Sequence, residues 1–405
     1  MKLWIKILIG LALGIIVGLV LGHKVDFIER AGKAFIDLLK MLVGLIVFSS
    51  LVVGICHIND PKKLGRIGMR ALFFYMITTI IAVFFGLVLV FVVKPGQGIG
   101  LIPSPQHVCL SQGIGMVDFL FSIIPSNPFA SFAEGNVLQI IVFSILFAFA
   151  IILSGEKGKA ILSFLESINE IMCSLTQFIM KLAPYGVFAL ITTAVGSVGV
   201  KVFYPLLQFL LCNYIACLLQ LFLVFCVTLK YMAKLRIAPF FKGMKDAIIL
   251  AFTTSSSSAT LPVSLECART HLGISPDISG FVLSLGSTIN MNGAAIGQTI
   301  SAIFIAQAYG LEVTMTKIII LVFVSLISAI GAAGIPGTSI VMLSVVLKAM
   351  GLPFEGIALV AGVDRLREMV SSVINILGDA VAAVFIAKKE KQIDEEQYYA
   401  VTWLE

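Results

Sequence analysis

The chain has 405 residues, of which 59% are hydrophobic and only 12% charged, and it carries a formal net charge of +6. A soluble domain has about twice that charge fraction, and no soluble fold of this length hides so much apolar surface, so a lipid bilayer must be the solvent for much of it. The positive balance does not point to nucleic acid, because the Lys and Arg residues sit in short loops between apolar spans.

Apolar segments recur at 3–22, 32–56, 70–94, 116–154, 160–196 and 202–231, which predicts six spans, the fourth broken at Gly135. Leu3–Leu21 is long enough to span and lacks a clear small-residue cleavage site, so it is expected to be the first helix rather than a signal peptide. Lys62, Lys63, Arg66 and Arg70 lie between spans two and three, and Lys230, Lys234, Arg236, Lys242 and Lys245 follow span six, whereas loop 95–115 has no Lys or Arg. The positive-inside rule therefore predicts a cytoplasmic N-terminus, and Lys388, Lys389 and Lys391 predict a cytoplasmic C-terminus. Two ends on one side require an even number of crossings. The seven cysteines (56, 109, 173, 212, 217, 226 and 267) form no CxxC pair and are expected as free thiols packed among helices.

Region 240–388 does not parse into simple spans. Residues 246–270 are interrupted by Thr253-Thr254-Ser255-Ser256-Ser257-Ser258, and 318–350 by Gly331-Ala332-Ala333-Gly334-Ile335-Pro336-Gly337. Such backbone is tolerated at membrane depth only where it is buried in protein or lines a cavity. Each segment reads as a helical hairpin that dips in and turns back, and each precedes a long helix, 277–309 or 355–388. Hairpin–helix twice, the second entering from the opposite side, is an inverted repeat that meets near the midplane.

The last helix holds Asp364, Glu368, Ser371, Ser372, Asn375 and Asp379, whose three- and four-residue spacings form one polar stripe about 22 Å long. Ionisable groups at that depth face a partner or a water-filled cavity. The competing structural reading is a salt-bridged stripe that glues helices together, with Arg365 and Arg367 as partners; it leaves the two polar hairpin tips unexplained. In the other long helix, Gly286-Ser287-Thr288-Ile289-Asn290-Met291-Asn292-Gly293 suggests unwinding, which frees carbonyls to join Asp379 around a small cation such as Na⁺, against the plainer reading of a Gly-rich packing face. The hairpin tips offer helix N-termini suited to a carboxylate, and Ser256 and Ser257 could add hydroxyls. An enzyme is not expected: Gly378-Asp379 resembles the Gly-Asp motif of intramembrane aspartyl proteases but lacks a second Asp on a facing helix, and no GxSxG, HExxH or P-loop is present.

At these residues the sequence resembles the glutamate transporter family, the dicarboxylate/amino acid:cation symporters, along essentially the whole chain. Ile124-Pro125-Ser126-Asn127-Pro128-Phe129 with Glu134-Gly135-Asn136-Val137-Leu138-Gln139 is similar to the family's fourth-span motif. Ser256-Ser257-Ser258-Ala259-Thr260-Leu261-Pro262 and Ala333-Gly334-Ile335-Pro336-Gly337 resemble its hairpin tips, and Asn290-Met291-Asn292-Gly293-Ala294 sits where the family has NMDGT. The resemblance implies an all-α membrane protein of eight transmembrane helices and two re-entrant hairpins, assembled as a homotrimer and working as an elevator in an inner (plasma) membrane. It implies a scaffold over 1–69 and 116–200, a transport domain over 70–115 and 201–388, and a cytoplasmic tail over 389–405.

The resemblance also implies site residues. One Na⁺ is matched by Gly286, Asn290, Asn375 and Asp379. A second is matched by Thr288 and Met291 with hairpin carbonyls near Ala329, Ile330 and Ala332. A third is matched by Tyr75, Thr78 and Thr79 with Asn290, although its usual carboxylate is Asn292 here. Substrate contacts fall on Ser256, Ser257, Ile335, Pro336, Ser339, Asp364, Glu368, Ser371, Ser372 and Asn375. Two of these positions, and one beside them, depart from the acidic-substrate members: their side-chain-carboxylate arginine is Ser371, their amine-binding Asp is Glu368, and their span-seven threonine is Ala294. A charge-assisted pair contributes about 1.5–3 kcal/mol. Arg365 and Arg367 are candidate substitutes, although neither occupies the matched position and Arg367 lies roughly 90° off the stripe centre by helix geometry. The expectation is therefore cation-coupled symport of a neutral amino acid, with an acidic amino acid or C4-dicarboxylate as the alternative and a channel as the alternative of another class. No cofactor is expected beyond coupling Na⁺, with H⁺ coupling through Glu368 or Asp364 as a variant, and the third cation site is expected to be weakened.

Overall fold

The computed structural model describes residues 3–22, 26–56, 65–101, 124–134, 137–198, 203–331, 334 and 337–400. Regular structure among them is helical, with one isolated antiparallel bridge between Ile274 and Ile393. In chain order the helices are α1 (Leu3–Leu21), α2 (Asp26–Cys56), α3 (Gly65–Val93), α4 (Pro128–Ala133), α5 (Val137–Leu153), α6 (Glu156–Met180), α7 (Ala183–Val198) and α8 (Phe203–Leu219). Helix α8 continues as π-helix over Gln220–Cys226 and Thr228–Met232. After α9 (Ile237–Gly243) come the first hairpin, α10 (Lys245–Thr254) and α11 (Ser257–Thr270), and then α12 (Pro276–Ile289) and α13 (Asn292–Ala308). The second hairpin is α14 (Met315–Gly331) and α15 (Thr338–Ala349), followed by α16 (Ile357–Lys389) and α17 (Glu395–Ala400).

Several expected boundaries move. Helices α2 and α3 begin earlier than the apolar runs, at Asp26 and Gly65, because charged first turns extend beyond the apolar stretch. The fifth expected span is two helices. Pro184 stands in the first turn of α7, where its missing N–H costs nothing, and it cannot continue α6. The expected break at Gly135 lies outside the described residues.

Among the described residues, four stretches are long and apolar enough to cross a membrane: Arg66–Val93, Phe203–Met232, Pro276–Ala308 and Phe354–Lys389. Their surroundings differ. The apolar windows of the last two are 100% and 83% buried within the protein, against 33% and 44% for the first two. The α12–α13 pair and α16 therefore form the centre, and α3 and α8 shield them while turning Phe73, Phe84, Val92, Tyr204 and Phe222 outward.

Packing sorts the helices into two groups. In one, α2 packs on α5, α6 and α7, and α1 lies along α7. That last contact is very close: Cβ atoms at Gly10, Gly14 and Gly18 would fall 2.4, 2.7 and 2.8 Å from the carbonyl oxygens of Pro184, Phe188 and Thr192. This is the small-residue spacing that lets membrane helices approach backbone to backbone. In the other group, α3, α8, both hairpins and α12–α13 surround α16. The groups meet where α14 and α15 rest on α2 and where α7 rests on α16.

The chain end is strapped to the second group. Glu390 accepts hydrogen bonds from Arg66 and Arg70 at the start of α3. Tyr398, fully buried, donates to the Arg236 carbonyl at 2.8 Å, and Gln397 donates to the Arg269 and Thr270 carbonyls that end α11. Cys56, Cys212, Cys217, Cys226 and Cys267 are buried free thiols, as the composition predicted for them.

Candidate functional site

The polar stripe of α16 is real and interior. Asp364, Glu368, Ser371, Ser372, Asn375 and Asp379 are all buried. At its far end the stripe meets the gap between α12 and α13, where Asn290 and Met291 leave helical geometry at φ/ψ −96/75° and −104/56°. The interruption separates a helix C-terminus, with unpaired carbonyls, from a helix N-terminus, with unpaired N–H groups. Asn375 Oδ1 accepts from Gly293 N at 2.8 Å, satisfying one N–H of the new helix, while its Nδ2 lies 3.2 Å from Met291 Sδ and 3.4 Å from Ser257 Oγ.

The other end of the gap suits a cation. Asn290 Nδ2 donates to Asp379 Oδ1 at 2.8 Å, yet Asn290 Oδ1 is buried without a hydrogen-bond partner. Gly286 is required here, because a Cβ would sit 2.3 Å from Asp379 Oδ1 and 2.8 Å from the Tyr75 hydroxyl. A buried carboxylate, an orphaned amide oxygen and the carbonyl end of α12 form a donor set of hard oxygens, which fits Na⁺. Of the four residues matched to the first cation site, Gly286, Asn290 and Asp379 thus come together, while Asn375, one turn before Asp379 on α16, gives its oxygen to Gly293 N.

The other two sets fare differently. Thr288 is exposed and turns its hydroxyl back to the Leu285 carbonyl at 2.9 Å, whereas Met291 is buried with its sulfur against Asn375. Ala329 is buried, but Ala332 and the Ile330 side chain lie outside the described residues. In the third set, Thr79 Oγ1 is 2.7 Å from both Asn292 Oδ1 and the Tyr75 carbonyl, and Asn292 Nδ2 is 3.3 Å from Thr78 Oγ1. One hydroxyl cannot donate twice. Thr79 therefore donates to Asn292 Oδ1, Asn292 Nδ2 donates to Thr78, and Thr78 donates to the Tyr75 carbonyl at 3.1 Å. That closed neutral loop is complete without an ion. The Tyr75 hydroxyl is itself spent on the Val282 carbonyl at 2.8 Å.

Near the start of the stripe the two hairpin tips touch. Ser255 adopts a left-handed conformation at φ 53° and ends α10; Ser256 caps α11 by accepting from Ala259 N at 3.1 Å. The Ser256 hydroxyl donates to the Gly334 carbonyl at 2.7 Å, and Ser258 N donates to the same oxygen at 3.1 Å. Ser257 is buried beside them. Ile335 and Pro336 lie outside the described residues. At the head of α15, Gly337 N donates to Glu368 Oε1 at 3.1 Å, so Glu368 holds the positive end of that helix.

Two arginines complete this region. Arg365 donates to the Thr254 carbonyl at 2.9 Å and lies 3.7 Å from Glu368. Arg367 places Nε and Nη2 on Asp364 Oδ1 at 2.8 and 2.5 Å, gives Nη2 also to Ser339 Oγ, and brings Nη1 to 3.5 Å from Ser371 Oγ. Both arginines thus pair with stripe carboxylates, as the salt-bridge reading expects, and Arg367 reaches the stripe despite its angle on the helix wheel. The helix wheel gives the direction of Cβ, but a long side chain reaches neighbours three and four residues away. A cavity of about 910 Å³ lies elsewhere, between α2, α4, α5 and α15, and is lined by phenylalanines including Phe48, Phe132 and Phe143. Its apolar lining offers little to a charged ligand.

A profile of the sodium:dicarboxylate symporter family matches residues 3–389. The chain belongs to that family. Among its relatives, a proton/sodium-glutamate symport protein of Geobacillus stearothermophilus is 36% identical over 97% of this chain and 95% of its own length. A proton/glutamate-aspartate symporter of Escherichia coli (strain K12) is 35% identical over 93% and 88%, and a C4-dicarboxylate transport protein of Laribacter hongkongensis (strain HLHK9) is 32% identical over 98% and 92%. The chain is thus a membrane protein of a cation-coupled transporter family, as the motifs at both tips and at Asn290–Ala294 indicated. Sequence reasoning missed Gln220, whose Nε2 donates to the Thr78 carbonyl at 3.0 Å from the first π-helical turn of α8. No periodic pattern marks a π-turn. It also missed the direct contact of Ser256 and Ser258 with Gly334.

Proposed function

We propose that this protein couples the entry of Na⁺ to the uptake of an acidic amino acid or a C4-dicarboxylate across a cell membrane. The observation that carries this reading is the convergence of the two hairpin tips on α16, within three turns of the Asp379–Asn290 cation cradle. A cation bound at the cradle pulls on Asn290 and Asp379, and Asn375 passes that position to Ser257 at the first tip. Cation and substrate then stabilise one closed arrangement together, which is the requirement for coupling.

The expectation of a neutral substrate rested on Ser371. Two observations weigh against it: the Arg367 guanidinium reaches Ser371, and the relatives' names specify glutamate, aspartate or C4-dicarboxylate. Glu368 and Asp364 are balanced by Arg365 and Arg367, so an arriving anion meets no net negative charge in this cluster. The neutral loop around Asn292 supports two or fewer Na⁺ at full affinity, with H⁺ as a further coupling ion through Glu368.

The moving unit would be α3 with α8–α16, including the two re-entrant hairpins, and the stationary unit α1, α2 and α4–α7, in a homotrimer with both chain ends in the cytoplasm. The two packing groups support that division. The rest of the second hairpin on α2 supports a state whose binding end lies toward the first hairpin's side. Uptake by proteoliposomes that concentrates substrate against its gradient tests the function, since a channel cannot do so.

A further inference from the structure

We infer that Arg367 is the specificity-determining residue for an acidic substrate, its Nη1 edge binding the carboxylate that distinguishes such a ligand from a neutral one. This rests on the acidic-substrate reading above. The guanidinium is buried, with 2% of the residue exposed, at the level where Ser371 and the head of α15 meet. Its donors are used unevenly. Nε and Nη2 are committed to Asp364 and Ser339, whereas among the described residues the two N–H groups of Nη1 have one contact, at 3.5 Å, to a serine hydroxyl. A buried guanidinium edge so poorly matched is costly unless an acceptor arrives, and a carboxylate is the acceptor its geometry fits.

The surroundings are shaped around that edge. On the facing helix, a Cβ at Gly297 would lie 1.8 Å from Nη1, so glycine is what admits the guanidinium. Asp364 fixes the opposite edge and so orients the free one. Arg365, the rival, gives Nη2 to the Thr254 carbonyl and pairs Nη1 with Glu368 at 3.7 Å, which ties it to the first hairpin; its buried Nε is unpartnered, but one N–H does not make the two-pronged edge a carboxylate fits. A purely structural Arg367–Asp364 pair that latches Ser339 would explain the committed edge but not the alignment of Nη1 with Ser371. The relocation also accounts for a serine at 371: a second guanidinium there would meet the first.

The test is ligand binding by purified protein in Na⁺, using L-aspartate, L-glutamate and succinate against L-asparagine. Removing Arg367 alone would strand Asp364, so D364N/R367L is the variant of choice. It should lose at least about tenfold in affinity for the acid that wild type binds best, while asparagine affinity changes by less than about threefold. Adding S371R to that background should restore the preference for the acid. R367K, which keeps the charge but not the fork, should weaken acid binding selectively by at least about threefold and covers the case in which the double variant does not fold. Acid binding in wild type that survives both substitutions, or that is lost instead in R365L, overturns the inference alone. Equal loss for acid and amide would mark Arg367 as structural and also overturn it. Wild type that binds asparagine but none of the acids overturns the acidic-substrate reading and this inference with it.

Discussion

Asn290 donates its amide N–H to Asp379 across the α12–α13 gap at 2.8 Å, while its own amide oxygen, equally buried, has no partner. An orphaned acceptor beside a buried carboxylate is an unstable arrangement unless a cation completes it. Replacing Asp379 by Asn removes the charge that offsets the ion. D379N should lower Na⁺ affinity by at least about tenfold, read from the Na⁺ dependence of ligand binding. G286A should act in the same direction, because its Cβ would lie 2.3 Å from Asp379 Oδ1. Wild-type Na⁺ dependence in both variants would remove the cradle from the mechanism.

Asn292 sits in a loop of hydrogen bonds with Thr78, Thr79 and the Tyr75 carbonyl that closes without an ion. Asn292→Asp restores a negative charge that this loop cannot neutralise. The number of Na⁺ moved per substrate, measured from reversal potentials in proteoliposomes, should rise in this variant. An unchanged stoichiometry would show that Asn292 does not set it.

Ser256 serves both tips, accepting from Ala259 N and donating to Gly334 O. Loss of an N-cap costs about 1 kcal/mol. S256A should therefore speed amide exchange at Ala259 by roughly fivefold and should weaken ligand binding by loosening the second tip. Unchanged exchange at Ala259 would contradict the capping geometry.

Tyr398 is fully buried under the strap formed by the chain end and donates to Arg236 O. Truncating a buried aromatic to Ala costs about 3–5 kcal/mol. Tyr398→Ala should lower the melting temperature in detergent while leaving ligand affinity near wild type, since the strap lies far from Asn290 and the tips in the packing. A melting temperature equal to wild type would show that the strap adds no stability.

Much of this was legible in the sequence for identifiable reasons. The stripe from Asp364 to Asp379 follows the helical period, so its shared face could be read from spacing alone. The hairpins declared themselves because runs of Ser or of Gly with Pro cannot continue a lipid-facing helix. The gap at Asn290–Met291 followed from Gly and Asn in an apolar run. Which of Arg365 and Arg367 reaches Ser371 was not legible, because the direction of a side chain from the backbone says little about where a flexible arm ends once Gly297 leaves space opposite. The neutral loop at Asn292 depends on α3 and α13 lying side by side, a tertiary fact that local pattern does not carry. The glycine spacing at 10, 14 and 18 was visible but gained meaning only from the carbonyls facing it.

The account stands or falls on coupled accumulation. Purified protein in liposomes, given an inward Na⁺ gradient, should concentrate at least one of L-aspartate, L-glutamate or succinate above its external level, and should stop doing so when the gradient is collapsed or in D379N. Flux of these acids that only equilibrates, or accumulation indifferent to Na⁺ and to Asp379, would contradict it.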